Sequence, residues 1–207
     1  MKRTQFFEHW SSLHGGVQMN PVVKGWLTVS FFLIKPLRFF RISPNAVTLG
    51  GVIAALGLVL SARTWWGPVL IVLSLVLDGI DGSLAIITGK SSTRGALWDS
   101  LADRISEALW VIAFYRIGAP SVVIFFAWML ASTQEYLRAR TSGLGYKEID
   151  FVTIAERPVR AILLTVAILA YLLDVKLVTT ISVAWLVMQV ISFLSLSRHT
   201  FRKLATS

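Results

Sequence analysis

The chain has 207 residues, 55% of them hydrophobic and only 15% charged, with a mean hydropathy of +0.69. An ordinary soluble domain carries roughly 25% charged residues, so this composition excludes a disordered tail, a fibrous repeat and a typical cytosolic enzyme. There is no cysteine, and His9, His14 and His199 all lie near the chain ends, which removes disulfide frameworks, thiolate zinc sites and a Ser-His-Asp triad. The net charge of +9 raises the question of nucleic acid. The basic residues, however, sit beside the ends of apolar runs, as they do at the cytoplasmic face of membrane proteins, and no nucleic-acid-binding motif accompanies them. The expected partner is a lipid bilayer, with no nucleic acid.

In chain order, Val22 to Leu33 is flanked by Lys24 and by Lys35, Arg38 and Arg41. It is too short to cross a bilayer and is expected to lie along the surface as an amphipathic helix. Five apolar stretches approach the ~20 residues that a span needs. They are Ala46 to Ala62, Trp66 to Thr88, Ala119 to Tyr136, Val159 to Leu173 and Leu177 to Leu196. A sixth, Ala96 to Ile117, is apolar apart from Asp99, Asp103, Arg104, Glu107 and Arg116. Ser43 and Pro44 precede the first span, with Asn45 expected to cap it. Gly118 and Pro120 mark the break between the third and fourth spans, and Gly143 to Thr153 forms the longest loop.

The expected fold is therefore all-α, a polytopic membrane protein of six transmembrane helices preceded by an N-terminal interfacial helix. It reads as a single domain over residues 1–207: an N-terminal segment of about 1–44, a bundle over 45–198 and a tail over 199–207. Six spans put both termini on one side. The basic residues up to Arg41, then Lys90 and Arg94, the group from Arg138 through Lys147 to Arg160, and Arg198, Arg202 and Lys203 fall on that side. The opposite face has only Arg63, Arg116 and Lys176. This asymmetry predicts a multi-pass protein of the cell membrane with both ends in the cytoplasm.

Asp78, Asp81, Asp99, Asp103 and Glu107 fall inside two adjacent spans. A charge near the bilayer centre costs at least ~2.5 kcal/mol on the insertion scale, so four neighbouring aspartates need a compensating partner. Asp78 and Asp81 are three residues apart and Asp99 and Asp103 four apart, so each pair shares one helix face. The short loop between the two spans makes them antiparallel neighbours. At ~1.5 Å rise per residue, Asp81 lies about 10 Å below Thr88 and Asp99 about 6 Å below Gly95, which brings all four carboxylates to one depth. An all-oxygen ligand set suits Mg²⁺ or Mn²⁺, and two such ions can clamp a phosphoryl group. Gly79, Gly82 and Gly95 beside the acids allow close approach of a ligand or of another helix.

Asp78, Asp81, Gly82 and Ala85, followed by Gly95, Asp99 and Asp103, resemble the signature of the CDP-alcohol phosphotransferases, D-x-x-D-G-x-x-A-R, eight residues, G-x-x-x-D-x-x-x-D. Every spacing matches. One position departs: Ile86 stands where the signature has arginine, which leaves the nucleotide-binding region one cation short unless Lys90, Arg94 or Arg104 supplies it. The resemblance implies transfer of a substituted phosphate from a CDP-linked lipid, CDP-diacylglycerol, to an alcohol, with release of CMP in phospholipid biosynthesis. It implies that Asp78, Asp81 and Asp99 hold the cations, while Asp103 adds a ligand and acts as general base on the acceptor hydroxyl. Gly82, Ala85 and Gly95 would give the nucleotide room, and Asn45, Thr48 and Ser92 would offer polar contacts. Dimers are usual in this family, so a homodimer is also implied.

The acceptor is read from basic groups. Arg138, Arg140, Arg157 and Arg160 are expected to bind an anionic acceptor, and Arg157 ahead of Pro158 begins a span where it can hold a phosphate bidentately. The stretches from Tyr136 to Arg140 and from Glu156 to Pro158 also resemble the phosphatidylinositol-phosphate synthase branch, whose acceptor is inositol phosphate. Glycerol 3-phosphate suits the same cations. Two other classes compete: an ion- or proton-coupled transporter that uses the buried acids, and a catalytically silent member of the family, suggested by Ile86.

Overall fold

The computed structural model describes residues 3–13, 21–145 and 151–205. These residues form eight α-helices and no strand. They are α1 (Arg3–Leu13), α2 (Pro21–Phe39), α3 (Pro44–Ser61), α4 (Trp66–Thr88), α5 (Thr93–Arg116), α6 (Ser121–Gly143), α7 (Arg157–Leu172) and α8 (Val178–Ala205). Helices α3 to α8 occupy the six segments read as apolar or near-apolar. Of these, α3, α4 and α8 are long and apolar enough to cross a bilayer. Helix α5 carries the charged residues from Asp99 to Glu107, and α7 has only 16 residues.

Helix ends differ from the apolar boundaries because backbone hydrogen bonding continues until a breaker stops it. Helix α2 runs from Pro21 past Leu33 to Phe39, with Pro36 inside it, and Lys35 folds over the Phe32 ring at 4.4 Å. Helix α6 continues past Tyr136 to Gly143, and α8 past Leu196 to Ala205. Ser43, not Asn45, caps α3: the Ser43 Oγ accepts from the Ala46 N–H at 3.2 Å. Pro44 is preorganised for the first helical position, which places the cap one residue before it and leaves Asn45 inside the first turn. Likewise the Ser92 Oγ accepts from the Gly95 N–H at 3.1 Å and caps α5.

The chain divides into two compact units. The first comprises Met1–Ala54 and Leu73–Ser106. Its core joins Ile34 of α2, Val47 of α3, and Ile80 and Leu84 of α4. A second cluster joins Phe6 of α1, Leu27 of α2 and Ile86 of α4. Helix α1 falls where no element was expected, because its residues form no apolar run; what ties it down is chiefly fully buried Phe6. Trp26 of α2 lies over Gly79 of α4, where an added Cβ would meet the indole Cζ2 at 2.5 Å.

The second unit comprises Ala55–Val72 and Glu107–Ser207. Here α8 packs on α6 and α7. Phe114 stacks on Trp185 with ring centroids 5.3 Å apart. Buried Gln189 donates to Gln134 at 3.0 Å, and Gln134 donates to the Thr153 hydroxyl at 3.2 Å. These bonds join α6 to α8 and to the segment before α7 through buried polar side chains.

Gly79→Ala is expected to force Trp26 off α4 and to cost about 1–3 kcal/mol, the usual range for overpacking. The loss should shrink in a Trp26→Ala background, which thermal unfolding of the four variants in detergent will measure.

Candidate active site

The first unit brings the expected acids together. One carboxylate oxygen each from Asp78 of α4 and from Asp99 and Asp103 of α5 lie within 4.8 Å of one another. Asp81 is buried beside them. Its carboxyl accepts from the Thr48 hydroxyl and from the Gly82 N–H at 2.5 Å, and it also meets Asp99. Helical spacing does this: residues three or four apart on one helix present their side chains to the same side. Thr48, one turn into α3, reaches Asp81 because Val47 packs against Ile80 and Leu84 of α4. The donor set is entirely carboxylate oxygen, converging over a few ångströms, which fits a hard divalent cation such as Mg²⁺ or Mn²⁺.

A cavity of about 200 Å³ adjoins these acids. Asn45, Thr48, Gly82, Ala85, Ile86, Ser92 and Gly95 all line it, together with Asp81, Asp99 and Lys90. All seven residues expected to contact the donor are thus gathered at one place. The backbone of Gly95 passes close to Ser92, since an added Cβ would stand 3.1 Å from the Ser92 Oγ. At Gly82 an added Cβ would meet nothing within 4 Å, so that side of the helix is open.

The four expected acceptor arginines belong to the second unit, and three of them join a network with glutamates. Arg160, 3% exposed, donates to Glu107 at 2.5 Å, to Glu135 at 3.2 Å and to the Ala155 carbonyl at 2.9 Å. Arg138 holds Glu156 through two contacts, at 2.6 and 3.0 Å, and reaches Glu135 at 3.3 Å. Arg157 lies over the Trp110 ring at 5.3 Å, with its Nε 4.0 Å from Glu107. Arg140 is exposed and two positions beyond Arg138, hence on another face of α6. Lys147 lies outside the described residues. The partners Glu107, Glu135 and Glu156 were not singled out for this role, although the three-residue spacing of Glu135 and Arg138 on one helix carries a signal for the pair.

Burial by itself would push the Glu156 carboxyl up. The Arg138 guanidinium and the hydroxyl and N–H of Thr153 outweigh it and hold the group down at about 2, against an ordinary value of 4.5.

The described residues form helices and no strand, three of the helices fit to cross a bilayer, and four aspartates gather on α4 and α5, two of them (Asp81 and Asp99) lining a cavity: this is a membrane protein with an acidic site. Residues 41–196 match the model of the CDP-alcohol phosphatidyltransferases, and the chain belongs to that family. Among curated relatives, the archaetidylinositol phosphate synthase of Aeropyrum pernix is 37% identical over 155 residues, 71% of this chain and 79% of that protein. The phosphatidylinositol phosphate synthase of Mycolicibacterium smegmatis is 31% identical over 60% of this chain and 60% of its own length. Two crystal structures of the Mycobacterium tuberculosis phosphatidylinositol phosphate synthase share the fold. The one in complex with manganese and citrate has a TM-score of 0.66 at 20% identity, covering 83% of this chain and 88% of that one. The one with CDP-DAG bound has a TM-score of 0.68 at 19% identity, covering 84% and 94%.

Two outcomes follow from the arginine–glutamate network. Arg160→Met removes the 2.5 Å partner of the buried Glu107 carboxylate and is expected to cost about 3–5 kcal/mol; Glu107→Gln in the same chain should recover part of it, as read by chemical denaturation in detergent. Because Glu156 titrates lower in the folded chain, its stabilisation is fully present above pH 4.5 and is lost as pH falls from there toward 2. Glu156→Gln should flatten the melting temperature against pH across that window.

Proposed function

We propose that this chain transfers a phosphatidyl group from CDP-diacylglycerol to inositol phosphate and releases CMP. The convergence of Asp78, Asp81, Asp99 and Asp103 beside a cavity lined by all seven expected donor residues carries this reading. The inositol phosphate acceptor is supported by the names of the relatives, and the lipid donor by the CDP-DAG bound in a structure of the same fold.

Asp78, Asp81 and Asp99, with Asp103 as a further ligand, are the residues that would hold two Mg²⁺ or Mn²⁺ ions. Such ions, when bound, neutralise the charge on the diphosphate of the donor. Thr48 and the Gly82 N–H fix Asp81 so that its carboxylate needs no reorganisation. Asp103 takes the proton of the acceptor hydroxyl as its oxygen bonds to the lipid-side phosphorus, and the bond from that phosphorus to CMP breaks with the electron pair leaving on CMP. Phosphoryl transfer asks mainly for positioning and charge neutralisation, which is what this residue set offers. Asn45 and Ser92 contact the nucleotide, and Gly82, Ala85 and Gly95 leave room for it. In the second unit Arg138 and Arg157, each partly accessible, face the acceptor phosphate, while buried Arg160 positions them through Glu107 and Glu135.

The same reading has residues 1–207 acting as one domain, with α3 to α8 as six membrane spans, α2 on the membrane surface, and the site and both termini on the cytoplasmic side of the cell membrane. A homodimer agrees with the family.

Purified protein should release CMP from CDP-diacylglycerol only with a divalent cation and inositol phosphate present. Asp103→Asn should lower turnover at least about a hundredfold, the low end for loss of a general base, while donor binding persists. Full turnover in that variant would remove its role, and turnover with glycerol 3-phosphate alone would reassign the acceptor.

A further inference from the structure

Position 86 breaks the signature, and the fold gives the reason. Ile86 is 7% exposed and packs with Phe6 of α1 and Leu27 of α2, so this residue anchors α1 to α4. The same residue lines the donor cavity, whose wall has the Asp81 and Asp99 carboxylates and must still accept a diphosphate. An arginine at 86 would give up the apolar contact with Phe6 and Leu27 that isoleucine makes.

Lys90 is the one basic residue among those lining that cavity; Arg94 instead lines a neighbouring groove with Leu97, Trp98 and Leu101. Backbone geometry brings Lys90 there. Helix α4 ends with Gly89 in the left-handed region at φ 66. The Gly89 N–H donates to the Ile86 carbonyl at 3.2 Å, and the Lys90 N–H to the Ala85 carbonyl at 2.9 Å. This paired closure, which favours glycine at its turning point, folds the chain back so that Lys90 stands over Ala85, itself part of the cavity wall. The ammonium is exposed, on a flexible stem with three donors, and can follow a phosphate as a point charge.

We propose that Lys90 supplies the side-chain cation that holds the diphosphate of the CDP-linked donor in this chain, leaving position 86 to anchor the N-terminal helix. This rests on the functional reading above. The test uses the full chain in detergent with Mg²⁺, and reads both the KM for CDP-diacylglycerol in CMP release and the Kd for CDP and for cytidine by titration calorimetry. Lys90→Ala should raise the donor KM and the CDP Kd together by about ten- to a hundredfold, the loss of one charged hydrogen bond, with cytidine binding unmoved. Lys90→Arg should restore most of both, and Arg94→Ala should change neither. Unchanged CDP binding in Lys90→Ala, or an equal loss in Arg94→Ala, overturns the assignment. A wild-type chain that neither binds CDP nor releases CMP overturns the functional reading itself.

Discussion

Four carboxylates on two consecutive helices, apolar α4 and charged α5, are the constraint around which this molecule is organised. In a low-dielectric setting like charges a few ångströms apart repel strongly, and a lone ionised acid is costly to bury. The Thr48 hydroxyl and the Gly82 N–H serve Asp81, and Asp78, Asp99 and Asp103 each turn one oxygen toward a common point. In the proposed function this convergence serves hard cations, and through them the oxygens of a diphosphate. The apolar cluster of α2, α3 and α4 packs beside these carboxylates.

The second unit handles buried charge in the opposite way. Glu107, Glu135 and Glu156 are matched by Arg160 and Arg138 at hydrogen-bond distance, and Gln134, Gln189, Thr153 and Ser192 extend the polar interior. One unit therefore concentrates unlike-charge pairs and the other like charges. A closed ion-pair network gives a rigid frame for arginines, whereas a convergent acidic set invites a ligand. The division of labour between donor chemistry and acceptor anion in the proposed reaction follows these two electrostatic characters.

Much of this was legible in the sequence because helical geometry links spacing to space. Intervals of three and four residues put Asp78 with Asp81 and Asp99 with Asp103, and the short loop before Ser92 made their helices neighbours. The residues lining the cavity beside them were named by the family resemblance and not by spacing. Other features depend on tertiary packing or on competing local rules. Helix α1 has no apolar run and is tied down by Phe6. Asn45 and Ser43 are both good caps, and only Pro44 decides between them. The bond from Arg138 to Glu156 joins α6 to the start of α7, and no spacing encodes it. Ile86 read as a missing cation, whereas its packing against Phe6 and Leu27 gives it a positive role.

The most direct measurement is Mn²⁺ binding to the purified chain, followed by electron paramagnetic resonance of the free ion. Saturable binding in the wild type, lost when Asp78 and Asp99 are both replaced by asparagine in a chain that still folds, is the expected result. Equal binding by that variant, or no saturable binding by the wild type, would contradict the claim that these carboxylates form a cation site.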